Sequence, residues 1–186
     1  MPRWTNISLI LLFFPLLLVP FILIAICIKV TSPGPVIHWS TRVGAMNILF
    51  KMPKFRTMRI HTPIVPTHLM QETDKYITPI GRVLRLTSLD ELPQIGSILK
   101  GNMAFVGPRP ALSNQDDIVA LRTNSGIHKL VPGITGWAQI HGRDELPTPE
   151  KVELDRYYML HKSFWFDLKI IWLTIFAVFK SKGVSH

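Results

Sequence analysis

The run Ile7-Ser8-Leu9-Ile10-Leu11-Leu12-Phe13-Phe14-Pro15-Leu16-Leu17-Leu18-Val19-Pro20-Phe21-Ile22-Leu23-Ile24-Ala25-Ile26-Cys27-Ile28 contains no charged side chain, and Trp4-Thr5-Asn6 before it adds none. A helix crossing a bilayer needs about 20 such residues, so this stretch is long enough to enter a membrane. It does not read as a cleavable leader: Arg3 is a weak basic start, and no small-residue cleavage site precedes Lys29. Pro15 and Pro20 each remove a backbone hydrogen bond and favour a kink. A helix that bends and returns to the same face is therefore as available as one that spans. The expected division is a membrane helix over 1–30 and a soluble domain over 31–186.

Outward from this run, the chain is long enough for one domain with a proper core. Its 186 residues carry 21 Lys+Arg against 12 Asp+Glu, and the excess is uneven. No acidic residue precedes Glu72, whereas Arg3, Lys29, Arg42, Lys51, Lys54, Arg56 and Arg59 all do. A cationic region beside an apolar one fits anionic phospholipids or a phosphorylated substrate. It shows no nucleic-acid reader motif, which argues against nucleic acid as a partner. The single Cys27 excludes a disulfide within the chain and reads as an apolar filler.

Thr31-Ser32-Pro33-Gly34-Pro35 ends the apolar element with turn residues. Val36 to Trp39 and Ile48 to Met58 read as two short strands of a hairpin, with Pro53 confining the second to an edge or a bulge. Ile60 to Thr73 is aperiodic and reads as a loop; its His61 and His68 lack the partners a metal site needs. Helices are expected over Ile80–Leu86, Leu89–Leu99, Asn114–Thr123, Glu150–His161 and Phe164–Lys180, with Leu130–Gln139 a loop running into a short strand. In the last helix the uncharged run Ile170–Phe179 is too short to span. Trp165, Trp172, Phe176 and Phe179 suit it to the headgroup layer. The fold class is thus α+β, mostly helical, with a small β-hairpin and 164–180 as an interfacial helix.

Chemistry concentrates at Leu86-Thr87-Ser88-Leu89-Asp90-Glu91-Leu92-Pro93-Gln94. With Thr87 or Ser88 as N-cap, Asp90 and Glu91 fall in the first helical turn, where negative charge is favoured and both carboxylates stay ionised. A plain capping box, Ser88 with Glu91, would explain the same residues. Arg85 just upstream and Gly107-Pro108-Arg109-Pro110 downstream point instead to phosphate chemistry, since guanidinium groups grip phosphate oxygens in pairs.

Five stretches carry a family resemblance: Lys54-Phe55-Arg56-Thr57-Met58, Thr87 to Gln94, Lys100-Gly101-Asn102-Met103, Val106-Gly107-Pro108-Arg109-Pro110, and Pro132-Gly133-Ile134-Thr135-Gly136-Trp137-Ala138-Gln139. In this order and spacing the chain resembles the bacterial sugar transferase family, the monotopic polyprenyl-phosphate phosphoglycosyl transferases, and is similar to a minimal member that starts N-glycan assembly. The resemblance implies transfer of a sugar 1-phosphate from a UDP-sugar to undecaprenyl phosphate, with Mg²⁺ required and UMP released. It implies Asp90 as covalent nucleophile and Glu91 as its metal-binding or proton-handling partner, so that both belong to the metal site. Arg85 and Arg109 would hold the diphosphate on a loop stiffened by Pro108 and Pro110, with Lys54, Arg56 and Arg143 on the same anionic surface.

The resemblance also implies a re-entrant membrane helix kinked at Pro20, a catalytic domain on the cytoplasmic face of the bacterial inner membrane, and a role in a bacterial glycoconjugate pathway. Departures from the family pattern are Val19 before Pro20 where Ser is expected, Asn102 for Asp, Ala104 for Ser and Val131 for Arg. Two other functions stay open at this point: a glycosyl transferase that releases UDP, and a membrane-anchored basic module whose carboxylates only cap a helix. The sugar leans towards an N-acetylated deoxy-hexosamine, and homo-oligomerisation is left open.

Overall fold

The computed structural model describes residues 1–60, 62, 75–142 and 146–180. Arg3–Thr31 is one helix, α1, of 29 residues with Pro15 and Pro20 inside it. It is apolar on every face, and by length and composition it is the one helix among the described residues that could cross a membrane. Its two ends are held differently from its middle. Near the start, Ile10 packs with Phe50, Met52, Ile98 and Met103, and the Asn6 carboxamide oxygen accepts from the Phe105 backbone N–H at 3.3 Å. Near the end, Ile24 and Ile28 pack with Phe55 and Leu84, and the Phe21 and Phe55 rings lie 4.8 Å apart. Between them, residues 11 to 16 are exposed without a break, which is more than one turn, so no face of that segment is covered.

The expected hairpin is present: β1 (Ile37–Val43) pairs antiparallel with β2 (Leu49–Phe55). Pro53 sits opposite Trp39 in an unbulged ladder, tolerated because a two-stranded sheet leaves each strand an open edge. A second pair was not expected in full. Strand β3 (Ala104–Val106) runs parallel to β4 (Gly133–Thr135). The contact is backbone on backbone, since a Cβ on Gly107 would lie 2.4 Å from the Val131 carbonyl oxygen and one on Gly136 2.2 Å from that of Gly107. Only glycine admits that approach.

The helices are α2 (Pro79–Leu86), α3 (Ile95–Lys100), α4 (Asp116–Asn124), α5 (Trp137–Ile140), α6 (Thr148–His161) and α7 (Phe164–Lys180). A single helix over Leu89–Leu99 was expected; instead Leu89–Gln94 is 3-10 and α3 begins only at Ile95. Pro93 is the physical reason, because it has no N–H to give to an α-helical acceptor. Trp137 likewise opens a short helix, where the expectation was a strand. Helices α4 and α6 pack through Ile118, Ile127 and Val152, and α7 buries Ile170 against Tyr158 and Val106.

Candidate active site

Three segments meet at the acidic pair. The 3-10 turn presents Asp90 and Glu91, β2 ends beside it with Lys54, and the loop after β3 delivers Arg109. Lys54 Nζ lies 2.7 Å from Glu91 Oε1 and 3.6 Å from Asp90 Oδ2. Arg109 Nη1 lies 3.3 Å from the same Glu91 oxygen. Arg85, at the end of α2, donates from Nε to Thr57 Oγ1 at 3.1 Å, and its charge is felt at Asp90. Three cations thus face two carboxylates.

The helix-capping explanation of the pair fails on this geometry. Ser88 stands at the cap position with φ 56°, in the left-handed region, and its side chain makes no capping hydrogen bond. The Thr87 hydroxyl turns back to the Val83 carbonyl at 2.8 Å. Glu91 points its carboxylate to Lys54 and Arg109, not back to the Ser88 N–H. The left-handed Ser88 turns the chain sharply between α2 and the acidic pair.

The two neighbours titrate in opposite directions. Burial acts to raise the Glu91 carboxyl, but the charges and hydrogen bonds of Lys54 and Arg109 outweigh it and hold the group at about 2. Asp90, 8% exposed, is pushed up by burial and by the adjacent Glu91 charge, with Lys54 pulling against them. Adjacent carboxyls driven apart in this way are a mark of a functional site. Burial also draws down the Arg85 guanidinium, opposed by Asp90.

The other residues singled out in the sequence fall in several places. Pro108 and Pro110 flank Arg109, and their carbonyls accept from Gly133 N–H at 3.0 Å and Arg42 Nη1 at 3.2 Å. Arg56 does not join the pair. Regular pairing ends at Ile37–Phe55, and the buried Arg56 guanidinium donates to the carbonyls of Ser32 and Pro33 at 2.8 and 2.7 Å, fastening the exit of α1. Arg143 lies outside the described residues, as do His61 and His68. His38 on β1, which no motif in the sequence marks out, stands opposite Lys54. Burial, Arg42 and Lys54 lower its pKa, and only the hairpin register reveals the juxtaposition.

Comparison with known proteins bears on nearly the whole chain. The family described as "Bacterial sugar transferase" matches residues 1–181. Over 167 residues the chain is 43% identical to the UDP-glucose:undecaprenyl-phosphate glucose-1-phosphate transferase of Escherichia coli, covering 86% of this chain and 36% of that protein. It is 38% identical over 161 residues to the uncharacterized sugar transferase EpsL of Bacillus subtilis, covering 86% and 77%. A UDP-N-acetylgalactosamine-undecaprenyl-phosphate N-acetylgalactosaminephosphotransferase of Aeromonas hydrophila is 37% identical over 177 residues, covering 92% and 41%. The chain therefore spans little more than a third of the length of the E. coli protein.

Proposed function

The chain belongs to the bacterial sugar transferase family, and on that premise we propose that it transfers a sugar 1-phosphate from a UDP-sugar to undecaprenyl phosphate, releasing UMP. The observation that carries this is the Asp90–Glu91 pair held by Lys54 and Arg109 from two separate segments, with the Arg85 charge acting on Asp90 from a third. Two carboxylates ringed by cations suit a diphosphate better than a neutral sugar, because each guanidinium can hold two phosphate oxygens.

In the proposed reaction an Asp90 oxygen attacks the phosphorus that bears the sugar. A bond forms between that oxygen and phosphorus, the bond from phosphorus to the bridging oxygen breaks, and its electron pair leaves with UMP. An oxygen of the lipid phosphate then attacks the same phosphorus and releases the Asp90 carboxylate. Lys54 at 3.6 Å favours the charged form of Asp90 that attack requires. Glu91, held at about 2, is too weak a base to move a proton near neutral pH and serves better as a ligand.

The residues present fit Mg²⁺. Among the described residues no set of three His, Cys, Asp or Glu side chains converges, and magnesium commonly takes one or two carboxylates with substrate phosphates and waters completing its shell. Asp90 and Glu91 would supply those carboxylates, and the ion when bound would neutralise diphosphate charge.

We take 1–30 as the membrane element, re-entrant at Pro20, and 31–186 as the catalytic domain on the cytoplasmic face of the inner membrane. Two features support a membrane-facing α1 and α7. Both ends of α1 pack on one body while residues 11 to 16 stand clear all round. Helix α7 buries Asp167 and Ile170 yet exposes Trp165, Trp172, Ile175 and Phe176, as a helix lying in the headgroup layer does.

The test is a panel containing UDP-glucose, UDP-N-acetylgalactosamine and a UDP-linked N-acetylated deoxy-hexosamine, each with undecaprenyl phosphate and Mg²⁺. UMP release with at least one donor is expected. UDP release would mean transfer of the sugar without its phosphate, and no release with any donor would leave a binding module.

A further inference from the structure

We propose that Arg122 and Asp155, remote in sequence from the acidic pair and, among the described residues, hydrogen-bonded to neither of its members, are positioning residues that hold Arg109 at the site. This rests on the proposal that Arg109 grips the substrate diphosphate.

The loop that carries Arg109 has few N–H groups with which to fasten itself. Pro108 and Pro110 have no N–H, so their carbonyls are the only backbone handles at those two positions. Four successive carbonyls are taken by donors from elsewhere. Pro108 accepts from Gly133 N–H and Ala111 from Val43 N–H at 2.9 Å, both as backbone contacts. Pro110 accepts from Arg42. The Arg109 carbonyl, on the residue whose side chain reaches Glu91, accepts from Arg122 Nη1 at 2.8 Å.

Arg122 can hold that carbonyl because the rest of its fork is fixed. Its Nε and Nη2 donate to Asp155 Oδ2 at 3.0 and 2.6 Å. The Asp155 side chain is 2% exposed and that of Arg122 12%. Burial pushes the Asp155 carboxyl up, and the Arg122 charge and hydrogen bonds pull it back. The chain of contacts therefore runs from α6 through α4 to the loop and on to Glu91. A lysine at 122 could keep the ion pair but would not serve both acceptors in one planar fork.

A purely structural role, tying α4 to α6, must be separated from positioning. Replacing both partners of a buried ion pair by apolar residues of similar volume is often neutral for stability, so the double variant Arg122→Met with Asp155→Leu removes the carbonyl handle while preserving the packing. Its melting temperature, its KM and kcat for the best UDP-sugar, and its affinity for UDP by calorimetry would be measured beside Arg122→Lys. Positioning predicts near-native melting with KM and the UDP dissociation constant raised about tenfold or more, the scale of one charge-assisted hydrogen bond, and kcat changed less. Native KM and UDP affinity in a double variant that melts normally would overturn the proposal. So would native values in Arg122→Lys if the double variant fails to fold. Wild-type protein that binds UDP but never releases UMP would sink the transfer reaction alone, and the UDP affinities would still decide the positioning role. Wild-type protein that binds no UDP would overturn both.

Discussion

Replacing Glu91 by Gln removes a charge that two cations share, and the structure sets its cost. The Glu91 carboxyl is drawn from the ordinary 4.5 to about 2, which at about 1.4 kcal/mol per pH unit corresponds to about 3 kcal/mol of stability for the ionised form. That is an upper figure. Lys54 can turn to Asp90, already 3.6 Å away, the Gln oxygen can still accept a hydrogen bond, and losing a like charge relieves the buried Asp90. A loss of about 1–3 kcal/mol remains, or a melting temperature lower by roughly 3–10 °C in a chain of this size. The sign with pH follows from the direction of the shift. A carboxyl depressed on folding contributes stability that is complete above 4.5 and is lost as pH falls towards 2, so the gap between wild type and variant should be full at pH 7 and narrow below 4.5. Tryptophan-fluorescence melts of both proteins in detergent from pH 7 to 3.5 measure it. A gap that stays constant across that range, or a variant that melts as high as wild type at pH 7, would refute the assignment of Glu91 as the anchor of Lys54 and Arg109.

Asp90→Asn should do the opposite to stability and more to chemistry: burial already disfavours the Asp90 charge, so the variant should melt at or above wild type while UMP release falls below a few per cent, and retained turnover would exclude Asp90 as nucleophile. Arg109→Lys should raise KM for the UDP-sugar about tenfold, because a point charge replaces a two-pronged grip; an unchanged KM in steady-state assays would reduce Arg109 to an ion-pair partner of Glu91. Mn²⁺, used as a paramagnetic stand-in for Mg²⁺, should bind weakly to the protein alone and several-fold more tightly with UDP present, since three cations face the two carboxylates; equal affinity by electron paramagnetic resonance would contradict this. A cysteine placed at residue 2 after Cys27→Ser should resist an impermeant thiol reagent in intact cells, and labelling from outside would mean that α1 spans the membrane.

What the sequence disclosed was set by locality. The apolar run, the hairpin, and the helices α2, α4, α6 and α7 follow from periodicity and breakers within a dozen residues, and each is found within a few residues of its expected bounds. The 3-10 turn at Leu89–Gln94 departs from the helix its capping residues suggest, because Pro93 lacks the N–H that an α-helical turn there needs. The strand pair β3–β4 joins residues nearly thirty positions apart, and a three-residue strand has too short a period to announce itself.

The same limit explains the site. Asp90, Glu91, Arg85 and Arg109 were legible as residue types, since carboxylates and guanidinium groups beside a Gly-Pro loop suggest anions wherever they occur. Which cation serves which carboxylate was not. Lys54 and Arg56 looked equivalent, two residues apart on one strand, and they part company because regular pairing stops at Phe55: one turns to Glu91, the other to the carbonyls that follow α1. Arg122 and Asp155 were ordinary helix charges until α4 and α6 were packed together. A proline-flanked loop with few N–H groups of its own must be held through its carbonyls, and the donors for carbonyls come from wherever the chain returns. The groups that fix Arg109 therefore had to be distant in sequence, where no local pattern could identify them.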